Sequence, residues 1–172
     1  LCGTMSVGKT TLVNALKELN QFKGYNFATE RSQHLMSLGI PLNTDSTLKG
    51  QTVFLAERCG ELMHDNIITD RTILDVMAFT MNAKSIPYQD KESFEQYASE
   101  FVREYDYIFY ISPHGLEIED NGVRETDEHY RDLIDFTITT LIKRHGHKAG
   151  AIEKISGSTE ERIQQILNVT KL

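Results

Sequence analysis

Short apolar runs alternate along this chain with longer stretches whose apolar residues recur at helical spacing. The runs predict five strands, Leu1–Cys2, Tyr25–Thr29, Asn66–Asp70, Asp106–Ser112 and Ala151–Ser156. The longer stretches predict helices, first from Lys9 to Leu19, where Leu12, Leu16 and Leu19 share one face. Further helices are expected over Thr47–His64, Arg71–Asn82, Lys91–Tyr105, Thr126–Arg144 and Ser158–Val169. This alternation is the mark of an α/β chain, a parallel sheet covered by crossover helices. Each predicted strand ends near a polar residue, and in such sheets ligands gather at that edge. The run Leu38-Gly39-Ile40-Pro41-Leu42-Asn43 breaks the pattern and reads as a loop over the substrate side.

With 172 residues, 40% of them hydrophobic, the chain suffices for one well-formed core, which predicts a single domain over 1–172. Leu1–Cys2 is a short strand without an initiator Met, which predicts that further residues precede it in the natural product. The net charge of −7 comes without a Lys or Arg run and argues against duplex nucleic acid as the main partner. No apolar stretch is long enough to span a bilayer, and no signal-peptide pattern is present. Cys2 and Cys59 stand at no metal-ligand spacing, as expected of small buried hydrophobes in a reducing cytoplasm. Oligomeric state stays open between monomer and homodimer.

The first eleven residues carry the most specific chemistry. Gly3-Thr4-Met5-Ser6-Val7-Gly8-Lys9-Thr10 has the spacing G-x-x-x-x-G-K-[ST], in which backbone N–H groups wrap around a chain of phosphates. Gly3 and Gly8 allow backbone angles and a close phosphate approach that a Cβ would hinder, while the following helix N-terminus adds partial positive charge. Ser6, Val7, Gly8, Lys9, Thr10 and Thr11 are thus expected to line the nucleotide phosphates. Lys9 is expected at the β- and γ-phosphates and Thr10 on Mg²⁺, so a nucleotide with Mg²⁺ is the expected ligand.

A second pair, Asp70-Arg71, stands where the third apolar run ends. Asp70 is a candidate to hold Mg²⁺ or to act as general base, and Arg71 to grip a phosphate or a sugar. The alternative is an N-cap Asp beside a solvated Arg. After the second run, Glu30-Arg31 places another carboxylate at the same edge, either touching the acceptor hydroxyl or starting an ordinary helix. Between Glu30 and Asp70 the residues alone do not choose the base.

The segment Pro113 to Arg124 is polar, has glycines at 115 and 122, and reads as a lid extending to about residue 131. An arginine on such a lid can close on the phosphates and offset the transferring charge, with Arg124 the first candidate and Arg131 the second. His114 and His129 read as surface residues, since no second metal ligand stands at suitable spacing. At the far end, Ser156-Gly157-Ser158 forms a small-residue loop able to approach a flat ring, with Gly157 a candidate for the adenine side, although a glycine-containing helix start explains it equally well without a ligand.

Taken together, the Gly3–Thr11 loop, Asp70-Arg71, the run Glu119 to Arg124 and the tail Ile155 to Arg162 resemble the small P-loop kinases. The nearest likeness is to the AAA-type ATPase/kinase family related to the ribosylnicotinamide kinase domain of NadR. Asp70-Arg71-Thr72 also resembles the D/E-R motif of deoxynucleoside and thymidylate kinases. The resemblance implies a P-loop NTPase three-layer sandwich, a five-stranded parallel sheet of order 2-3-1-4-5 with helices on both faces. It further implies ATP- and Mg²⁺-dependent phosphoryl transfer to a small nucleoside or nucleoside monophosphate. The chain departs from many NadR-type domains in lacking their aromatic-rich stretch near the second strand. An ATP-driven regulatory module without a dedicated acceptor and a polynucleotide 5′-hydroxyl kinase are the alternatives. A GTPase switch is disfavoured, because N-K-x-D is absent and no D-x-x-G follows the third strand.

Overall fold

The computed structural model describes residues 1–29, 32–116 and 127–172. Its elements run α1 (Lys9–Lys17), β1 (Asn26–Ala28), α2 (Ser32–Ser37), α3 (Leu48–Glu61), β2 (Ile67–Thr69), α4 (Ile73–Asn82), α5 (Tyr88–Ala98), β3 (Tyr107–Ile111), α6 (Glu128–His145), β4 (Ala151–Ile155) and α7 (Thr159–Thr170). The fold is α/β. Each anticipated apolar run from Tyr25 onward forms a strand trimmed by one or two residues, where its flanking polar residues leave the ladder.

Strand pairing is parallel throughout the described residues. β1 pairs with β2 in the register Phe27 to Ile68, and β3 with β4 in the register Phe109 to Glu153. Leu1–Cys2 lies between the two pairs as an isolated bridge rather than a full strand. Cys2 N donates to Phe109 O and Ile111 N to Cys2 O, both at 2.9 Å, while the Leu1 nitrogen donates to Thr69 O at 2.6 Å.

Alternation along β3 sorts the core into two clusters. Ile108 and Tyr110 join Cys2 in packing with Phe54, Leu74, Met77, Ile134 and Ile138 from α3, α4 and α6. Phe109 and Ile111 pack instead with Leu12, Val13, Leu16 and Ile166 from α1 and α7. Helices therefore cover both faces. Complete burial of each such side chain favours folding by roughly 1.5–3 kcal/mol, and Leu12, Ile108 and Ile134 are fully enclosed.

Two helix starts differ from expectation in an informative way. α4 begins at Ile73, capped by Thr72, whose hydroxyl and backbone N–H both engage the Asp75 carboxylate. Thr72 is therefore the N-cap, so Asp70 and Arg71 lie ahead of the helix. The stretch expected as one helix over Lys91–Tyr105 instead starts early, at Tyr88 after Pro87, and tightens into a 3-10 turn over Ser99–Glu104. The other expected helices begin within two residues of expectation, and α2 is an additional short helix after β1; Thr47, Asp127 and Ser158 accept first-turn N–H groups as N-caps of α3, α6 and α7.

Candidate active site at the phosphate loop

Gly3 to Thr10 forms a tight loop between the Leu1–Cys2 bridge and α1. Gly3, Ser6 and Gly8 have φ of 150°, 58° and 79°, so the loop turns through the left-handed region three times. At Gly3 a side chain would collide with backbone, because a Cβ there would lie 2.6 Å from the carbonyl oxygen of Ile111. Gly8 caps α1 without a side-chain acceptor, leaving the first-turn amides facing outward. Those amides and the helix dipole make an anion site.

Lys9 folds back over this loop. Its Nζ donates to Gly3 O at 2.6 Å and Thr4 O at 2.7 Å, and the residue is buried. Desolvation lowers its pKa below the ordinary lysine value of 10.5, while the nearby Asp75 charge opposes the shift. The loop carbonyls thus hold an ammonium where an anion would draw it outward.

The structure brings the two predicted halves together at the lip of the loop. Thr10 Oγ donates to Asp70 Oδ2 at 2.7 Å, joining positions 60 residues apart in sequence. Asp70 is 1% exposed, and its other oxygen, Oδ1, is buried without a hydrogen-bond partner. An unsatisfied buried carboxylate oxygen beside a hydroxyl suits a hard divalent cation, and Mg²⁺ commonly takes one or two protein oxygens and completes its shell with phosphate and water. No cluster of three or more His, Cys, Asp or Glu suited to a metal occurs among the described residues, so this smaller set is the candidate.

Arg71 faces a separate pocket. Its guanidinium lies 4.8 Å from the centroid of the Phe79 ring, a cation–π contact, and it lines the cavity with Gln51, Phe54, Ser46 and Asn43. Leu42 lines it too, which puts the anticipated loop at this opening. One polar group in the wall lacks a hydrogen-bond partner among the described residues, the Ser46 hydroxyl, on a residue 1% exposed, and Gln51, 3% exposed, lines the same wall. Aromatic sides with convergent polar groups form a slot for a flat, hydrogen-bonding ring.

Gly157 lies in the turn from β4 into α7 with φ of 92°, a conformation suited to glycine. This turn is fastened to the phosphate loop by Arg162, whose Nη1 donates to Val7 O at 2.7 Å. Arg131 is turned away from solvent and donates to Leu116 O at 2.7 Å. His114 and His129 are exposed, as expected. Glu30 and Arg124, with most of the anticipated lid, lie outside the described residues.

Several residues of the site escaped sequence reasoning. Gln51 and Ser46 line the pocket, and Asp75 and Arg162 fasten the backbone of the phosphate loop from outside it, roles that no motif spacing assigned. A partial signal existed for Gln51, which shares the buried stripe of α3 with Phe54, Leu55 and Arg58. A polar residue on an apolar stripe invites a search for its partner. Thr72-x-x-Asp75 likewise has capping-box spacing, although that spacing does not reveal the contact to Gly3.

A family model described as an AAA domain matches residues 1–162. The chain belongs to the AAA domain family. Among solved structures it is similar to deoxyadenosine kinase from M. mycoides with bound dCTP, at 18% identity and a TM-score of 0.67, covering 99% of this chain and 96% of that one. A second structure of that kinase, with products dCMP and a flexible dCDP bound, matches at 18% identity and a TM-score of 0.66, covering 98% and 95%. No curated protein sequence matches the chain. This AAA domain protein thus has the α/β fold of a small P-loop nucleoside kinase. No described helix is long and apolar enough to cross a membrane.

Proposed function

We propose that this AAA domain protein is a kinase that transfers the γ-phosphoryl group of ATP to a small nucleoside or nucleoside monophosphate. The observation that carries the reading is the meeting of Thr10 with Asp70, whose second oxygen is buried and unsatisfied, between the phosphate loop and a pocket lined by Phe54, Phe79, Gln51 and Arg71. Nucleoside kinases must bind two ligands side by side, and this arrangement offers one site for each. The likeness of fold to a deoxyadenosine kinase supports the same acceptor class.

In this reading the amides of Ser6 to Thr11 hold the phosphate chain. Lys9 leaves the Gly3 and Thr4 carbonyls for the β- and γ-phosphates, where its charge is worth most as the transferring group loosens. Thr10 and Asp70 hold Mg²⁺, which when bound neutralises phosphate oxygens. With Asp70 committed there, Glu30 is the group left to accept the acceptor's proton, and Arg124 on the lid is the cation for the transferring charge. Gln51 reads the edge of the base, Phe54 and Phe79 flank its faces, and Arg71 grips the sugar or phosphate end. Gly157 backs the adenine. We place Leu1–Cys2 as the central strand of a five-stranded sheet of order 2-3-1-4-5, supported by its hydrogen bonds to Thr69 and Phe109. A single domain in a reducing cytoplasm fits the two free cysteines.

The test is ADP formation from ATP and Mg²⁺ across nucleosides, deoxynucleosides, ribosylnicotinamide, nucleoside monophosphates and a 5′-hydroxyl oligonucleotide, each against a no-acceptor control. Stimulation by a nucleoside or its monophosphate is expected. A flat panel with steady hydrolysis overturns the kinase reading in favour of an ATP-driven module, and stimulation by the oligonucleotide alone moves the acceptor to a polynucleotide.

A further inference from the structure

Asp75 lies beneath the site without facing either pocket, and it is among the most deeply buried charged groups of the chain, at 0% exposure. Its carboxylate accepts three hydrogen bonds. Oδ1 takes the Gly3 N–H at 3.0 Å, and Oδ2 takes the Thr72 N–H at 2.8 Å and the Thr72 hydroxyl at 2.6 Å. A helix cap uses the last two. The first, across 72 residues, has nothing to do with capping, since Gly3 opens the phosphate loop.

Two ties therefore join the phosphate loop to the turn that carries Asp70 and Arg71. One is Thr10 to Asp70, at the solvent-facing lip. The other is Gly3 to Asp75 to Thr72, in the interior. They respond differently to ligand. The first consists of the two groups that would reorganise around a cation, so nucleotide binding competes with it. The second has no contact with solvent and offers no free position to a ligand.

Gly3 also occupies a hinge of charge. Its carbonyl accepts from Lys9 Nζ while its N–H is held by Asp75. When Lys9 moves to phosphates, the Gly3–Thr4 peptide loses its ammonium partner, and Asp75 is the group that limits where Gly3 can go. Because the same carboxylate fixes Thr72, any residual shift is delivered to the residue next to Arg71. Charge-assisted hydrogen bonds in a dry interior are short and strong enough to transmit this way.

We infer that Asp75 is a positioning residue that locks the phosphate loop to the acceptor-side turn, keeping Arg71 in register with the loop after nucleotide has broken the Thr10–Asp70 contact. The inference rests on the reading of Gly3–Thr11 as a nucleotide site. It assigns Asp75 no contact with substrate and no proton transfer.

The experiment follows amide hydrogen exchange in the segment Arg71–Leu74, with and without Mg²⁺ and the non-hydrolysable ATP analogue AMPPNP. In the parent protein the nucleotide should slow exchange there by about tenfold or more. Asp75→Asn keeps the volume and one acceptor but not the three-bond geometry. It should bind AMPPNP within about threefold of the parent, yet show less than a twofold nucleotide-dependent slowing. A merely structural Asp75 would raise exchange equally in both states and leave their ratio intact, which overturns the inference while the nucleotide site stands. A flat AMPPNP titration of the parent protein overturns the nucleotide reading itself and this inference with it. Should Asp75→Asn lack a cooperative melt, Thr72→Val decides, since it removes the 2.6 Å bond but leaves the Asp75 carboxylate its bonds from the Gly3 and Thr72 N–H groups. An intermediate loss of the ratio supports the lock, and an unchanged ratio overturns it.

Discussion

The phosphate loop and the Arg71 pocket, a few residues apart across Asp70, are prepared for ligands in opposite ways. In the loop nearly every strong group is already engaged: Lys9 by two carbonyls, Gly3 by Asp75, Val7 by Arg162. In the pocket the Ser46 hydroxyl is buried with no hydrogen-bond partner among the described residues, and the buried Gln51 lines the wall beside it. The loop can therefore rest in a satisfied ligand-free state and trade partners on binding. The pocket stores an unmet demand, because a buried polar group without a partner costs roughly 1–3 kcal/mol. Rigidity in the first and hunger in the second divide the work, with geometry supplied by one and discrimination by the other.

Removing Lys9 should break the loop side of this contrast most severely. Lys9→Ala is expected to lower kcat for phosphoryl transfer by a factor of about 10² to 10³ or more, as for loss of a charge or donor aimed at the transition state. Steady-state kinetics at saturating ATP measure it, and near-parental turnover would remove Lys9 from the chemistry.

On the pocket side, Gln51→Leu preserves shape and abolishes the carboxamide. The expected result is a rise of roughly 10- to 200-fold in KM for the nucleoside, with KM for ATP unchanged. An equal rise in both constants would mean that the two regions are not separable.

Gly3→Ala tests rigidity by stability instead. The added methyl meets the Ile111 carbonyl and a strained φ together, so a loss of about 1–3 kcal/mol in unfolding free energy is expected, read from denaturant midpoints. A stability equal to the parent's would show a loop far softer than its hydrogen bonds imply.

The smallest effect belongs to a control far from both regions. Glu95 on α5 is desolvated, which raises its pKa, but hydrogen bonds from His145 and Arg144 on α6 outweigh this and hold the carboxyl below its ordinary value of 4.5. A carboxyl depressed in the folded state stabilises above its unfolded pKa, and that contribution is lost as pH falls through the folded value. Glu95→Gln should therefore cost within about 1 kcal/mol near neutrality, since Arg144 is largely exposed, and almost nothing in strong acid. Thermal melts at the two pH values check it, with turnover unchanged.

Much of this organisation was legible along the chain. The phosphate loop, the helix that follows it and the polar end of each strand are written in consecutive residues, because they depend on backbone angles and on periodicities of two and 3.6. Asp70 and Arg71 could be singled out by their place after an apolar run, but Asp70 could not be told from an N-cap. That distinction was tertiary: Thr72 takes the cap, freeing Asp70 to meet Thr10. The 3-10 turn at Ser99–Glu104 and the early start of α5 were hidden as well, since helical spacing barely differs between the two helix types over a few residues.

By itself the sequence determined that this chain builds an α/β fold around a phosphate loop, for the loop needs only Gly3, Gly8, Lys9 and Thr10 at fixed spacing. Folding in three dimensions decided what surrounds it. Asp75 reaches Gly3 across 72 residues and Arg162 reaches Val7 across 155, while Gln51 and Ser46 face one cavity with Arg71. Such contacts follow from how helices pack on the two faces of a sheet, and no local spacing encodes which helix residue will arrive beside which loop.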